Sequence, residues 1–289
     1  MLVGVFDAHV HIIDPRFPLV PNNGFVPDPF TIADYRARTA GLAIDGGTVV
    51  SGSFQETDSS YLVAALAELG AGWVGVAQLD PDATDADIVA LDRAGVRALR
   101  FNLKRGAIDI AGLTHQALRA HDLVGWHAEM YVDGSLLPSL EPVIAKLPAV
   151  SIDHLGMSAD GLDYLLGLVD RGARIKATGF GRIDLDIPSA LRRIHAVNPN
   201  ALMWGSDLPG TRARRPFEEA DLQLIAEAVG DDALPAVLDT NARSFYRLPP
   251  KADPALPSIR PPAAGASGVS GAFETKKYSI ADLKEIAGE

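Results

Sequence analysis

The sequence predicts an α/β protein, a (β/α)8 TIM barrel with a Pro/Gly-rich C-terminal tail, and three observations carry that prediction. Eight short apolar runs recur along the 289 residues, at 2–8, 47–52, 73–79, 96–103, 124–131, 149–153, 173–178 and 201–206. Each is a near-continuous stretch of Val, Ile, Leu and Ala, as expected of parallel strands buried on both faces. Most of the gaps between them carry helical periodicity, the alternation that builds βα units. Polar residues able to do chemistry stand at or just past the C-terminal ends of the runs, where such barrels place their active sites.

Taken in order, the first run, Val3-Gly4-Val5-Phe6-Asp7-Ala8, leads into His9-Val10-His11. The segment 14–30 follows it with Pro15, Pro18, Pro21, Pro27 and Pro29. A loop that long at the catalytic face reads as a lid or pocket wall. The second run ends at Ser51-Gly52-Ser53, and a helix starts at 59–66 with Asp58 or Ser59 as its N-cap. The third run is followed by a helix at 82–94. The fourth carries Arg100, with Lys104 and Arg105 past its tip. The fifth holds Gly125-Trp126-His127-Ala128-Glu129 and reaches Tyr131, before a helix at 136–146. The sixth closes on Ile152-Asp153-His154, before a helix at 159–171. Arg182 stands just after the seventh, followed by a helix at 187–197. The eighth ends Trp204-Gly205-Ser206-Asp207, and a helix at 216–229 completes the set. Residues 1–248 thus form one barrel domain.

Beyond it, 249–289 changes composition. Pro249, Pro250, Pro254, Pro257, Pro261 and Pro262 give way to a Gly/Ser/Ala stretch, a linker in character. Ser279 can cap a short amphipathic helix with Ile280, Leu283 and Ile286 on one stripe. A helix that short is marginal alone, so it frays unless it docks on a neighbouring subunit of a homo-oligomer or across the barrel mouth.

Composition narrows the function. A net charge of -11 argues against a nucleic-acid partner, which needs a clustered basic face. The absence of cysteine excludes disulfides, thiolate catalysis and Cys-ligated zinc. No basic segment followed by a long apolar run opens the chain, and no stretch approaches the roughly 18 apolar residues of a membrane span. A cytoplasmic enzyme is expected.

His9 and His11 alternate along a strand end, so both side chains point the same way. Two imidazoles so placed can bind one metal ion or polarise one carbonyl. In a closed barrel Asp207, at the end of the last strand, is their neighbour, able to serve as general base for water or as a metal ligand. His154 at a strand tip and His127 in its strand extend the set, while His115, His121 and His195 read as surface residues. Arg100 and Arg182, with Ser53, Tyr131 and Lys104 near strand ends, are the candidate substrate contacts. Planar guanidinium groups suit carboxylates, which points to a small anionic substrate.

Phe6-Asp7-Ala8-His9-Val10-His11, Thr57-Asp58-Ser59-Ser60-Tyr61-Leu62, Gly125-Trp126-His127, Ile152-Asp153-His154-Leu155-Gly156, Lys176 through Arg182 and Met203 through Pro209 occur in one order over about 2–247. In that order they resemble the amidohydrolase superfamily, in its amidohydrolase-2 branch of TIM-barrel hydrolases. The resemblance is strongest to the group of 2-pyrone-4,6-dicarboxylate, muconolactone and sugar-lactone hydrolases. It implies a lactonase in which Asp207 activates water, His9, His11 and His154 line the reaction centre, and Arg100 and Arg182 hold a substrate carboxylate. It implies either no cofactor or one Zn²⁺, held by His9, His11, His154 and Asp207. His127 then helps polarise the carbonyl or completes the metal shell. The chain departs from the group's pattern at Met157, where the pyrone hydrolases carry arginine, and at Leu208-Pro209-Gly210. A related lactone with fewer or differently placed carboxylates is therefore expected. The alternative within the branch is a metal-dependent nonoxidative decarboxylase of an aromatic or enoic acid.

Overall fold

A computed structural model describes residues 4–104 and 109–249. Eight parallel strands follow one another in sequence order around a single sheet. They are β1 (Val5–Val10), β2 (Ile44–Val50), β3 (Trp73–Ala77), β4 (Val96–Asn102), β5 (His127–Tyr131), β6 (Val150–Ile152), β7 (Arg174–Ala177) and β8 (Leu202–Trp204). Around them lie α1 (Ile32–Arg38), α2 (Ser60–Leu69), α3 (Asp85–Arg93), α4 (Ile110–Val124), α5 (Leu137–Ile144), α6 (Leu162–Asp170), α7 (Ile187–Val197) and α8 (Ala220–Val229), with α9 (Asn241–Phe245) after them. The expected (β/α)8 barrel is the fold. The linker and terminal helix expected beyond Pro249 lie outside the described residues.

Several boundaries differ from the sequence expectation for identifiable reasons. The fifth strand starts at His127 rather than at residue 124, because Val124 ends α4. Gly125 then takes a left-handed φ of 72° and returns its N–H to the His121 carbonyl at 2.7 Å. That C-cap suits glycine, which has no Cβ to clash. The third helix starts at Asp85 rather than 82 because Thr84 and Asp87 form a capping box. α1 and α4 are elements that the apolar periodicity does not announce.

The barrel closes where β1 meets β8. The Asp207 N–H donates to the His9 carbonyl at 2.7 Å, and the His11 N–H to the Leu208 carbonyl at 2.9 Å. Between them the buried Asp7 carboxylate stands in for ladder bonds. One oxygen accepts the N–H of Ser206 at 2.8 Å and of His9 at 3.1 Å; the other accepts the Tyr35 hydroxyl of α1 at 2.9 Å. Pairing of β1 with β2 slips between Asp7 and Val10. Asp7 therefore reaches outward to α1 while His9 faces across the barrel. Gly205 lies beside this seam, where a Cβ would come within 2.6 Å of the His9 nitrogen.

The barrel floor is apolar. Phe6, Ala8, Val50, Val74, Val76, Ala98 and Met203 pack with Ala242 and Tyr246, so α9 and the residue after it plug the end at which the strands begin. The larger core lies between the sheet and the outer helices. Among the described residues no helix is long and apolar enough to cross a membrane.

Asp7→Ala should lower stability by about 3 kcal/mol, since it strands a buried hydroxyl and two buried amides. Urea unfolding measures this, and a loss below about 1 kcal/mol would mean the seam does not depend on Asp7.

Candidate active site

β5 spans the depth of the barrel, with His127, Glu129 and Tyr131 alternating along one face. His127 lies lowest. Its ring centroid is 4.1 Å from that of Phe245 and 5.0 Å from that of Tyr246. It begins its strand rather than ending it, so it belongs to the floor and does not join the other histidines. Tyr131 is at the mouth, its ring edge-on to His154 with centroids 5.3 Å apart. The Arg100 guanidinium stacks 5.5 Å from the centroid of the same ring.

Glu129 occupies the middle layer, fully buried, and pairs with the buried Lys176 ammonium of β7 at 2.7 Å. Its other oxygen accepts the Tyr246 hydroxyl at 2.9 Å. Asp153, just before His154, pairs with Arg100 at 3.0 Å, and Arg100 also donates to the Ser51 carbonyl at 2.9 Å. Neither Glu129, Asp153 nor Lys176 was expected from the sequence to take part in the site. The signal of Glu129 and Lys176 was a charge inside an otherwise apolar strand, and that of Asp153 a charge at a strand tip, which a barrel core accepts only when it is paired.

Above this layer the expected residues converge. The nitrogens His9 Nε2 and His11 Nε2 lie 3.8 and 3.7 Å from Asp207 Oδ1. The ring centroids of His9 and His154 are 5.1 Å apart. A left-handed turn delivers His154: His154, Leu155 and Met157 have φ of 53°, 52° and 64°, with Gly156 at 73°. Such angles in non-glycine residues carry strain that tends to collect at functional sites. Met157 is buried and packs away from the cavity.

Arg182 pins Asp207. Its Nε donates to Oδ2 at 2.8 Å, its Nη2 donates to the same oxygen, and Nη2 also reaches the Thr211 carbonyl at 3.2 Å. Gly179 lets these groups meet. It holds φ of 63°, and a Cβ there would stand 2.6 Å from His154 Nδ1 and 2.8 Å from Asp207 Oδ2. Oδ1 of Asp207 and Nε2 of His9 are buried without hydrogen-bond partners.

A cavity opens over this cluster. His11, Arg100, Tyr131, His154, Arg182 and Asp207 line it, together with Ser53 and Asn102. The long loop after β1 contributes Phe25 to the wall, as expected of a pocket-forming segment. Arg212, from the loop after β8, clasps that loop: its guanidinium donates to the carbonyl and side-chain oxygens of Asn22 and lies 4.4 Å from the Phe25 centroid. Lys104 is outside the cavity, paired with Asp133 at 2.7 Å. Arg100 and Arg182 do line it, but each spends part of its guanidinium on a protein carboxylate.

Burial and charge set the protonation states. Burial raises the Asp207 carboxyl, yet the Arg182 guanidinium outweighs it and holds Asp207 far below the usual carboxylate range. Asp153 is likewise raised by burial but held low by the Arg100 guanidinium and the Lys176 ammonium. Burial pushes Glu129 up against the pull of Lys176. It pushes His154 down to about 4, lowers His11, and with Lys176 drives His9 well down. The histidines are therefore neutral in the fold.

Two overlapping triads, His9/His11/Asp207 and His9/Asp153/His154, each bring three donor atoms within 4.8 Å of one another. That spacing suits one divalent cation. His11 Nδ1 faces the Val50 carbonyl at 2.7 Å and His154 Nδ1 the Thr178 carbonyl at 3.2 Å, which places their protons there and leaves Nε2 with a lone pair. His9 differs, because its Nδ1 faces the Lys176 ammonium.

The sequence profile of the amidohydrolase family matches residues 6–248. A 2-pyrone-4,6-dicarboxylate hydrolase of Comamonas testosteroni is 28% identical over 71% of this chain and 77% of its own. A D-galactarolactone isomerase of Agrobacterium fabrum is 26% identical over 86% of this chain and 92% of its own. A solved structure from Agrobacterium tumefaciens superposes with a TM-score of 0.76 at 24% identity, covering 86% of this chain and 97% of that one.

Two predictions follow from the charges. His9, His11, His127 and His154 are all held below the ordinary value of 6.5. Below that pH the unfolded chain binds protons that the folded chain refuses. Stability should therefore fall as pH drops from 6.5 towards 4, by up to about 1.4 kcal/mol per unit for each histidine; a urea midpoint unchanged between pH 7 and pH 5 would contradict this. Second, Lys176→Met or Glu129→Gln alone strands a buried charge and should cost about 3–5 kcal/mol, whereas the double variant should recover most of that loss. Denaturation of the three variants checks the non-additivity.

Proposed function

The chain belongs to the amidohydrolase family, and we propose that it opens the ring of a carboxylated lactone by water attack on the ring carbonyl, with Asp207 as general base. The observation that carries this reading is the asymmetry of the Asp207 carboxylate. Oδ2 is committed to Arg182, while Oδ1 is bare, buried and flanked by His9 and His11. A base for a bound water needs an oxygen so held and so aimed.

The water oxygen bonds to the carbonyl carbon as its proton passes to Asp207 Oδ1. The oxyanion that forms faces the guanidinium groups lining the cavity, while His11 and His154, which carry lone pairs on Nε2, do not donate to it. Collapse breaks the bond to the ring oxygen, which takes the proton from Asp207. Arg182 keeps the carboxylate weakly basic, so the proton is passed on rather than retained. The new carboxylic acid ionises and releases one proton to solvent.

An anionic substrate is supported by the cavity lining, which carries the guanidinium groups of Arg100, Arg182 and Arg212 against the single carboxylate of Asp207. The two relatives described above are named for cyclic esters, a pyrone dicarboxylate and a galactarolactone.

Proton release should be followed with a pH indicator on 2-pyrone-4,6-dicarboxylate, muconolactones and sugar-acid lactones. Wild type should release one proton per ring opened. Asp207→Asn should lose about 10²–10⁴ of the rate with its circular dichroism unchanged. A variant that keeps wild-type turnover removes Asp207 from the role of base. A shifted lactone ring without proton release, seen by NMR, would replace hydrolysis by isomerisation.

A further inference from the structure

Lys176 is the buried cation that the reaction above leaves without a task. It is 0% exposed, and an ammonium has three N–H donors and no acceptor. The Glu129 carboxylate pairs with it, Oε1 lying 2.7 Å away. The next acceptor in reach is His9 Nδ1 at 3.3 Å; Asp153 Oδ1 follows at 3.9 Å.

From the side of His9 there are two placements for the imidazole proton. On Nδ1 it points towards Asp153 Oδ1, 3.5 Å away, but also against an ammonium that is closer. Lys176 is then left with one acceptor within hydrogen-bond reach. On Nε2 it leaves the Nδ1 lone pair to accept from Lys176. The Nε2–H then faces the bare Oδ1 of Asp207, 3.8 Å away, so two otherwise orphaned buried atoms attract each other. The first placement offers Asp153 Oδ1, itself without a partner, a contact of 3.5 Å and sets two donors against each other; the second makes the shorter contact, 3.3 Å, and gives Lys176 its second acceptor.

We infer that Lys176 is a positioning residue that holds neutral His9 with its proton on Nε2, making His9 a hydrogen-bond donor into the reaction centre and not a metal ligand. His11 and His154, with Nδ1 turned to backbone carbonyls, have the opposite tautomer. Among the described residues, both triads spaced for a cation include His9. With Nε2 protonated and Nδ1 accepting from Lys176, His9 has no lone pair to offer, and each triad falls to two donors. The spacing fits a divalent ion and the proton inventory does not. The use of His9 Nε2–H on a carbonyl oxygen rests on the lactone reading; the tautomer and the exclusion of a cation do not.

The test is the two-bond ¹H–¹⁵N spectrum of histidine-labelled protein at pH 7.5, with His9 assigned by the signals lost in His9→Asn. The expected pattern is a neutral ring protonated at Nε2. In Lys176→Met/Glu129→Gln, which removes the ion pair without stranding a charge, the proton should move to Nδ1, facing Asp153. Titration with Co²⁺, followed by visible absorption, should show binding roughly tenfold or more tighter in that variant than in wild type. Lys176→Arg, which keeps a donor, should retain the wild-type tautomer. A wild-type His9 protonated at Nδ1, or equal Co²⁺ affinity in wild type and double variant, overturns the inference. The wild-type spectrum decides even where the double variant fails to fold. An Nε2–H signal in a protein inactive on every lactone would instead count against the lactone reading alone.

Discussion

The site depends on the seam where the first strand meets the last. Three hydrogen bonds to one buried carboxylate, Asp7, fix the His9 amide, the Ser206 amide and the Tyr35 hydroxyl at one point. His9 and Asp207 each lie next to that point in sequence, and the Asp207 N–H donates directly to the His9 carbonyl. A buried carboxylate and the ring that faces it are thus held by the backbone of two strands at opposite ends of the chain. Their side chains need little further ordering, which is the preorganisation that an electrostatic site requires.

That precision is bought with buried charge. Lys176, Glu129, Asp153, Arg100, Arg182 and Asp207 are all nearly or fully out of solvent. Paired as Lys176–Glu129, Arg100–Asp153 and Arg182–Asp207, they leave no net charge in the cluster. Ion pairs at such depth seldom stabilise a fold relative to packed hydrocarbon. Their value is positional: each carboxylate has one oxygen engaged by a cation, which determines where its other oxygen points.

The same pairing explains the division of labour among the arginines. Arg100 and Arg182 were expected to read a substrate carboxylate, and both reach the cavity. Each also neutralises a protein carboxylate, so a substrate anion meets guanidinium groups already half-engaged. Arg212 joins them on the wall, and by clasping Asn22 and Phe25 it ties the long loop after β1 to the loop after β8. The wall that closes the cavity and one of the cations facing it are therefore parts of one contact.

Local pattern was enough to determine the barrel and the placing of His9, His11, His154 and Asp207 at strand ends. A buried parallel strand has a composition of its own, and the chemistry of this architecture is confined to strand ends. It was not enough for α4, whose end is set by the left-handed Gly125, nor for the depth of His127. Two residues along one strand separate a floor residue from the middle layer, and only the end at which pairing begins decides which is which. The partners of the charged residues were legible least of all. Glu129 and Lys176 lie on different strands, as do Arg100 and Asp153, and nothing local says which cation faces which carboxylate. By itself the sequence determined that His9, His11, His154 and Asp207 stand at strand ends; only the tertiary structure decided which side chains line the cavity and who pairs with whom beneath it, because pairing across a closed barrel depends on register and stagger summed over every strand between.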